Sequence, residues 1–78
     1  MPIHYKNCIL ESDAHQSPET MKWGATINIS KQDEHGNLSS LPFILKMIFD
    51  TKKEADDNAY GIGKLIIDGE HPIHKLHF

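Results

Sequence analysis

The chain has 78 residues, with eight lysines and no arginine set against eleven carboxylates, six histidines, one cysteine and a formal net charge of −3. So short a chain buries only about 60% of the surface it exposes when unfolded, enough for one sheet and one helix and too little for a large enclosed active site. Cys8 cannot form an internal disulfide, a cysteine zinc cage or a redox Cys-x-x-Cys pair, and the longest apolar runs, three residues as in Phe43-Ile44-Leu45 and Met47-Ile48-Phe49, fall far short of the ~20 residues that span a bilayer.

The opening Met-Pro-Ile-His-Tyr-Lys lacks the pattern of a signal peptide, so a cytoplasmic protein with no membrane partner is expected. Without arginine the chain lacks the side chain best suited to bidentate recognition of phosphates and guanine edges, which argues against nucleic acid as a partner.

In chain order, residues 3–10 are rich in strand formers. Ile3, Tyr5 and Ile9 share one parity while Cys8 and Leu10 share the other, which predicts a first strand partly covered on both faces. Residues 11–19 are polar, contain Pro18 and read as a connecting loop. A clean period of two follows, in which Met21, Trp23, Ala25, Ile27 and Ile29 alternate with Lys22, Gly24, Thr26, Asn28 and Ser30. The apolar set of this second strand must face a core, and the polar set water or a partner.

Residues 31–40 supply a turn, with Gly36-Asn37 placed where positive φ is easy. The third predicted strand, 41–49, points Phe43, Leu45, Met47 and Phe49 inward and Ile44, Lys46 and Ile48 outward. Pro42 lies near its start, where a missing ladder donor matters least, or on a sheet edge.

Thr51-Lys-Lys-Glu54 is a capping-box pattern, with Asp50 as a rival cap. Glu54, Asp56 and Asp57 near the start and Lys64 toward the end complement the helix dipole. Ala55, Ala59, Ile62 and Ile66 form a packing stripe, with Leu65 beside it, and Gly69 suits the left-handed position after the last turn. Gly61 and Gly63 each cost a helix about 1 kcal/mol relative to alanine. Their expected role is to let the helix approach Trp23 or Phe43 closely, since they lack the strand-to-helix context of a phosphate-binding loop.

These elements predict an α+β fold: a three-stranded antiparallel β-meander with one C-terminal helix packed on one face. Residues 1–69 form a single β-β-β-α domain, and residues 70–78 a His-rich tail with the options of a short helix or a strand. The expected core is Trp23, Ala25, Ile27, Phe43, Leu45, Met47, Phe49, Ala55, Ala59, Ile62 and Ile66.

The Trp-bearing second strand, the Phe-x-Leu-x-Met-x-Phe third strand, the Asp-Thr-x-x-Glu-Ala helix start and the Gly-x-x-Ile-Ile-Asp-Gly exit resemble small uncharacterised bacterial β-β-β-α proteins over roughly residues 3–69. The core fold that this resemblance implies is similar to that of double-stranded-RNA-binding domains, which makes weak nucleic-acid binding the alternative function. Those domains grip phosphates with a lysine-rich start to the final helix and carry an extra N-terminal helix. Here Lys52 and Lys53 are followed by Glu54, Asp56 and Asp57, and no helix is predicted before the first strand.

Candidate chemistry is sparse. His71, His74 and His77 recur every three residues, so a helical turn lets them converge on zinc or nickel, with Glu70 as an oxygen donor and Pro72 at a first helical position. An extended tail puts His71 and His77 on one side and His74 on the other, which breaks that set. His4, His15 and His35 read as solvated, and Asp56-Asp57 as solvated partners of the helix dipole. Cys8 reads as a buried structural thiol; His4 and Lys6 share its face in a continuous strand, yet no third catalytic member can be named.

One helix covers one face of the sheet, so the second face displays Lys22, Thr26, Asn28, Ile44, Lys46 and Ile48. Ile44 and Ile48 are large apolar groups on that wet side, where they serve a protein partner, a homodimer or a tail folded back as cover, or carry no role. No nucleophile–base–orienter set can be assembled and no cofactor is implied. The expectation is a small non-enzymatic binding or regulatory module acting through protein contacts.

Overall fold

The computed structural model describes residues 2–76. β1 (Ile3–Tyr5), β2 (Cys8–Gln16), β3 (Trp23–Gln32) and β4 (Leu38–Ile44) are followed by α1 (Lys52–Asp68). The strands form one antiparallel sheet in the order β1-β2-β3-β4, and α1 packs mainly across β2 and β3. The α+β class and the C-terminal helix agree with the sequence pattern, whereas the sheet has four strands in place of three.

The extra strand comes from a two-residue turn. Lys6 and Asn7 adopt φ of 46° and 67°, and positive φ at both central residues is the type I′ geometry that suits the twist of a tight hairpin. Tyr5 then pairs with Cys8 and Ile3 with Leu10. The turn also removes His4 and Lys6 from the face of Cys8, which is buried beneath the sheet. Residues 11–16, expected as loop, continue β2 and pair with β3 from Glu11↔Asn28 to Gln16↔Trp23.

Met21, expected in the second strand, lies before it. Its φ of 60° turns the chain, and its N–H donates to the Ser17 carbonyl at 2.8 Å. The side chain is left exposed, and β3 starts at Trp23. At the other end of β3 the turn is built on Asp33, whose Oδ1 accepts from the backbone N–H of His35 at 2.8 Å and of Asn37 at 2.9 Å. Those hydrogen bonds, led by Asn37, hold the Asp33 carboxyl below the usual carboxylate range.

Helix α1 has the two ends its sequence specifies. Thr51 Oγ1 accepts from Glu54 N at 3.1 Å, and the rival Asp50 is paired with Lys22 instead. Gly69 takes φ 75°, with Gly69 N donating to Ile66 O and Glu70 N to Leu65 O, a Schellman closure. The buried stripe is Ala55, Ala59, Gly63 and Ile66. Gly63 does allow close approach, but to Ile27 and Leu10 rather than to Trp23 or Phe43. Gly61 faces open space.

Leu10, Ile27, Ile29 and Ile66 are the largest fully buried side chains, with Cys8, Ala25, Leu45, Phe49, Ala55 and Ala59 completing the buried core. Burying a side chain the size of leucine or isoleucine contributes about 1.5–3 kcal/mol. Trp23, Phe43 and Ile62, expected in the core, are partly buried and pack against it.

Two polar clamps fix the helix on the β1–β2 side. Asp68 accepts from the Tyr5 hydroxyl at 2.7 Å and from Lys6 Nζ at 2.5 Å. The Lys6 hydrogen bond, followed by that of Tyr5, holds the Asp68 carboxyl below its usual range and raises both partners. Asp56 is likewise more than a solvated dipole partner, since it accepts from Ser12 Oγ at 2.7 Å and from Lys52 Nζ at 2.8 Å.

On the β4 side the tail takes over. Leu76 packs on the core, and the His74 ring meets Phe43 edge-on with centroids 5.3 Å apart. Residues 71–76 form neither the helix nor the strand considered for them.

Candidate functional site

The surface with most chemical character is made where β4 leaves the sheet. Leu45 N donates to Ala25 O at 3.0 Å, and the next pairing is the isolated bridge of Phe49 with Trp23. Two steps along β3 are thus matched by four along the other chain, leaving two extra residues in a bulge. An even insertion preserves parity, so Phe49 is buried as the alternation predicts. The bulge nevertheless expels Met47, which was expected in the core, and Ile44, Met47 and Ile48 are 66%, 48% and 76% exposed.

The six residues expected on the second face divide into two groups. Thr26 and Ile44 are cross-strand partners, and Asn28 lies two residues along β3 opposite Pro42. Lys22, Lys46 and Ile48 instead line a cavity of about 280 Å³ with His15, Ser17, Thr20, Gly24, Leu45 and Met47. Lys22 is paired with Asp50, whose hydrogen bond raises the ammonium's pKa. His15, expected to be free in a loop, lies in β2 directly across from Gly24, where an added Cβ would stand 3.0 Å from its Nε2. The glycine leaves room for the imidazole on the sheet.

Around the end of β4 a second cavity, of about 230 Å³, is lined by Ile44, Leu45, Lys46, Met47, Ile62, His71, Ile73 and His74. The tail therefore closes over Phe43 on the helix side, leaves Ile62 lining the cavity beside it, and does not cap Ile44 and Ile48, one of the roles considered for it. Sequence parity gives no hint of Met47 or Ile73 as surface groups; only the bulge and the tail turn bring them here.

His71 caps that turn. Its Nδ1 accepts from the backbone N–H of Ile73 at 3.2 Å and of His74 at 3.0 Å. With Nδ1 acting as acceptor, the proton of the neutral ring sits on Nε2. The His71 and His74 ring centroids are 5.0 Å apart, and His77 lies outside the described residues. A metal bound through His71 would have to take a lone pair already used by the turn or displace the Nε2 proton. Among the described residues no group of three or more His, Cys, Asp or Glu side chains lies together.

Four of the eight lysines are held in ion pairs: Lys6–Asp68, Lys22–Asp50, Lys52–Asp56 and Lys53–Asp57. The two lysines at the helix start, the positions at which the RNA-binding analogy puts its phosphate grip, are thus paired along their own helix. The Ser12–Asp56 contact joins a hydroxyl to a carboxylate whose pKa is lowered by Lys52 first and Ser12 third, after an opposing desolvation effect. Such a carboxylate is a weak base, suited to clamping the helix. No described helix is long and apolar enough to cross a membrane. A scan against protein-family models gives no match, and searches of curated proteins and of solved structures give none.

Proposed function

We propose that the protein is a small non-enzymatic binding module that acts through protein contacts, with Ile44, Met47 and Ile48 as the contact. The observation that carries this reading is the exposure of Ile44, Met47 and Ile48 where β4 leaves the sheet, with Met47 lining both the cavity of Ile44 and that of Ile48. Isolated exposed apolar residues are common, but several large ones brought near one another mark a contact site. Its neighbours support the same reading: Lys46 and Lys22 border the apolar ridge as a polar rim. Ion pairing of half the lysines weakens the nucleic-acid alternative, because phosphate affinity scales with uncompensated positive charge.

The test compares the tagged protein with an Ile44→Ser/Ile48→Ser double variant in capture from source lysate, with and without nuclease and chelator. The reading requires a stoichiometric protein held by the wild type through both treatments and lost by the variant. Recovery that depends on nucleic acid would replace it with the alternative, and equal capture by both proteins would remove the ridge from the account.

A further inference from the structure

The geometry points to strand addition at the end of β4: the site takes an extended acidic peptide that pairs with the backbone of Ile44 and places one large apolar side chain in the adjacent cavity. This inference rests on the protein-binding reading above and names the kind of partner. β4 is the last strand of the sheet. Pro42 has no N–H, so its pairing with Asn28 is a non-hydrogen-bonded one. Alternation makes Thr26↔Ile44 the same kind, and the bond from Leu45 N to Ala25 O independently fixes that phase. The N–H and C=O of Ile44 therefore point outward, away from β3.

Along the rest of the edge, Pro42 offers a carbonyl and no donor. A long strand cannot zip along β4, and a peptide is confined to the end where Ile44 also lines the cavity. Side chains of an added strand alternate between faces, so one of them falls on the helix side over Ile62. A cavity of about 230 Å³ holds one leucine-sized or aromatic side chain.

Charge selects the rest of the peptide. No carboxylate lines this cavity, and Lys46 at its rim has no ion-pair partner among the described residues. Among the described residues Lys75 Nζ donates only to the neutral His71 carbonyl, at 3.1 Å. The Nε2–H of His71 adds a neutral donor. Lys46 on the rim, with Lys75 held at the carbonyl of the lining residue His71, complements an apolar side chain with a carboxylate nearby.

A displayed library of short random peptides, selected in parallel on the wild type and on Lys46→Glu, tests this. Expected is a wild-type consensus of one large apolar residue with Asp or Glu within two positions. An enriched peptide should bind the variant at least about tenfold more weakly, a difference of 1.4 kcal/mol. Exchange of the Ile44 amide, read by NMR, should slow when that peptide is bound. Absence of a consensus, a basic consensus, equal binding to Lys46→Glu, or unchanged Ile44 exchange would each overturn strand addition here. If a lysate partner is still captured through Ile44 and Ile48, the binding-module reading survives that failure.

Discussion

Gly61 and Gly63 lie two residues apart in one helix, yet alanine should act on them in opposite directions. At either position the methyl group restricts the unfolded chain and favours the helix by about 1 kcal/mol. At Gly61 nothing lies within 4 Å of the added Cβ. Gly61→Ala should therefore stabilise by about 1 kcal/mol, a rise in Tm of about 4–8 °C for a domain of this size. At Gly63 the Cβ would stand 3.0 Å from Ile27 Cγ1 and 3.1 Å from Leu10 Cδ2. Both neighbours are fully buried, so neither can swing toward solvent. Overpacking of this kind costs about 1–3 kcal/mol, and subtracting the helix gain leaves a net loss of roughly 0–2 kcal/mol. The two variants should differ by about 1–3 kcal/mol in urea unfolding followed by circular dichroism and Trp23 fluorescence. Equal stabilisation by both would refute the packing of α1 on β2 and β3 through Gly63.

The Asp68 clamp should give acid-dependent stability. Its folded pKa is lowered, so its contribution is fully present above the unfolded value of about 4 and is lost as pH falls through the lower folded value. Urea midpoints of Asp68→Asn and wild type should converge below about pH 4; a constant gap from neutral pH downward would contradict the clamp. The raised pKa values of Lys6 and Tyr5 express the same contact from the alkaline side, where its contribution is lost as pH rises through their folded values. At the β1–β2 turn, Asn7→Ala should cost about 1–2 kcal/mol because alanine lacks asparagine's tolerance of positive φ, while Asn7→Gly should not destabilise by chemical denaturation. Thr51→Ala should cost about 1 kcal/mol in the same measurement through loss of the Glu54 cap.

The parts of the fold that are legible in the sequence are those set by local chemistry. Thr51 and Gly69 bound α1 because capping and left-handed closure depend on a few consecutive residues. Ala25, Ile27 and Ile29 keep their period because both neighbouring strands preserve it. The first hairpin escapes notice because Lys6-Asn7 is a weaker turn signal than Asn-Gly, and because its two short arms carry apolar groups of mixed parity. Residues 11–16 look like loop since most of their side chains face water, although their backbone pairs fully with β3. The candidate surface is half legible. Ile44 and Ile48 stand out as apolar groups on the wet parity, but the two-residue bulge that adds Met47 has no glycine, proline or asparagine within 45–48 to announce it. His71 as a turn cap is equally hidden, because the spacing of the tail histidines points to a metal while the contact that engages the ring is made with backbone.

Protein contact through the end of β4 is tested most directly by a photo-activatable side chain placed at Ile48 in one protein and at Lys53, exposed on α1, in another, followed by irradiation in cells of the source. A discrete protein adduct is expected from position 48 and none from position 53. An adduct from position 53 alone, or adducts from position 48 that disappear with nuclease, would contradict that contact.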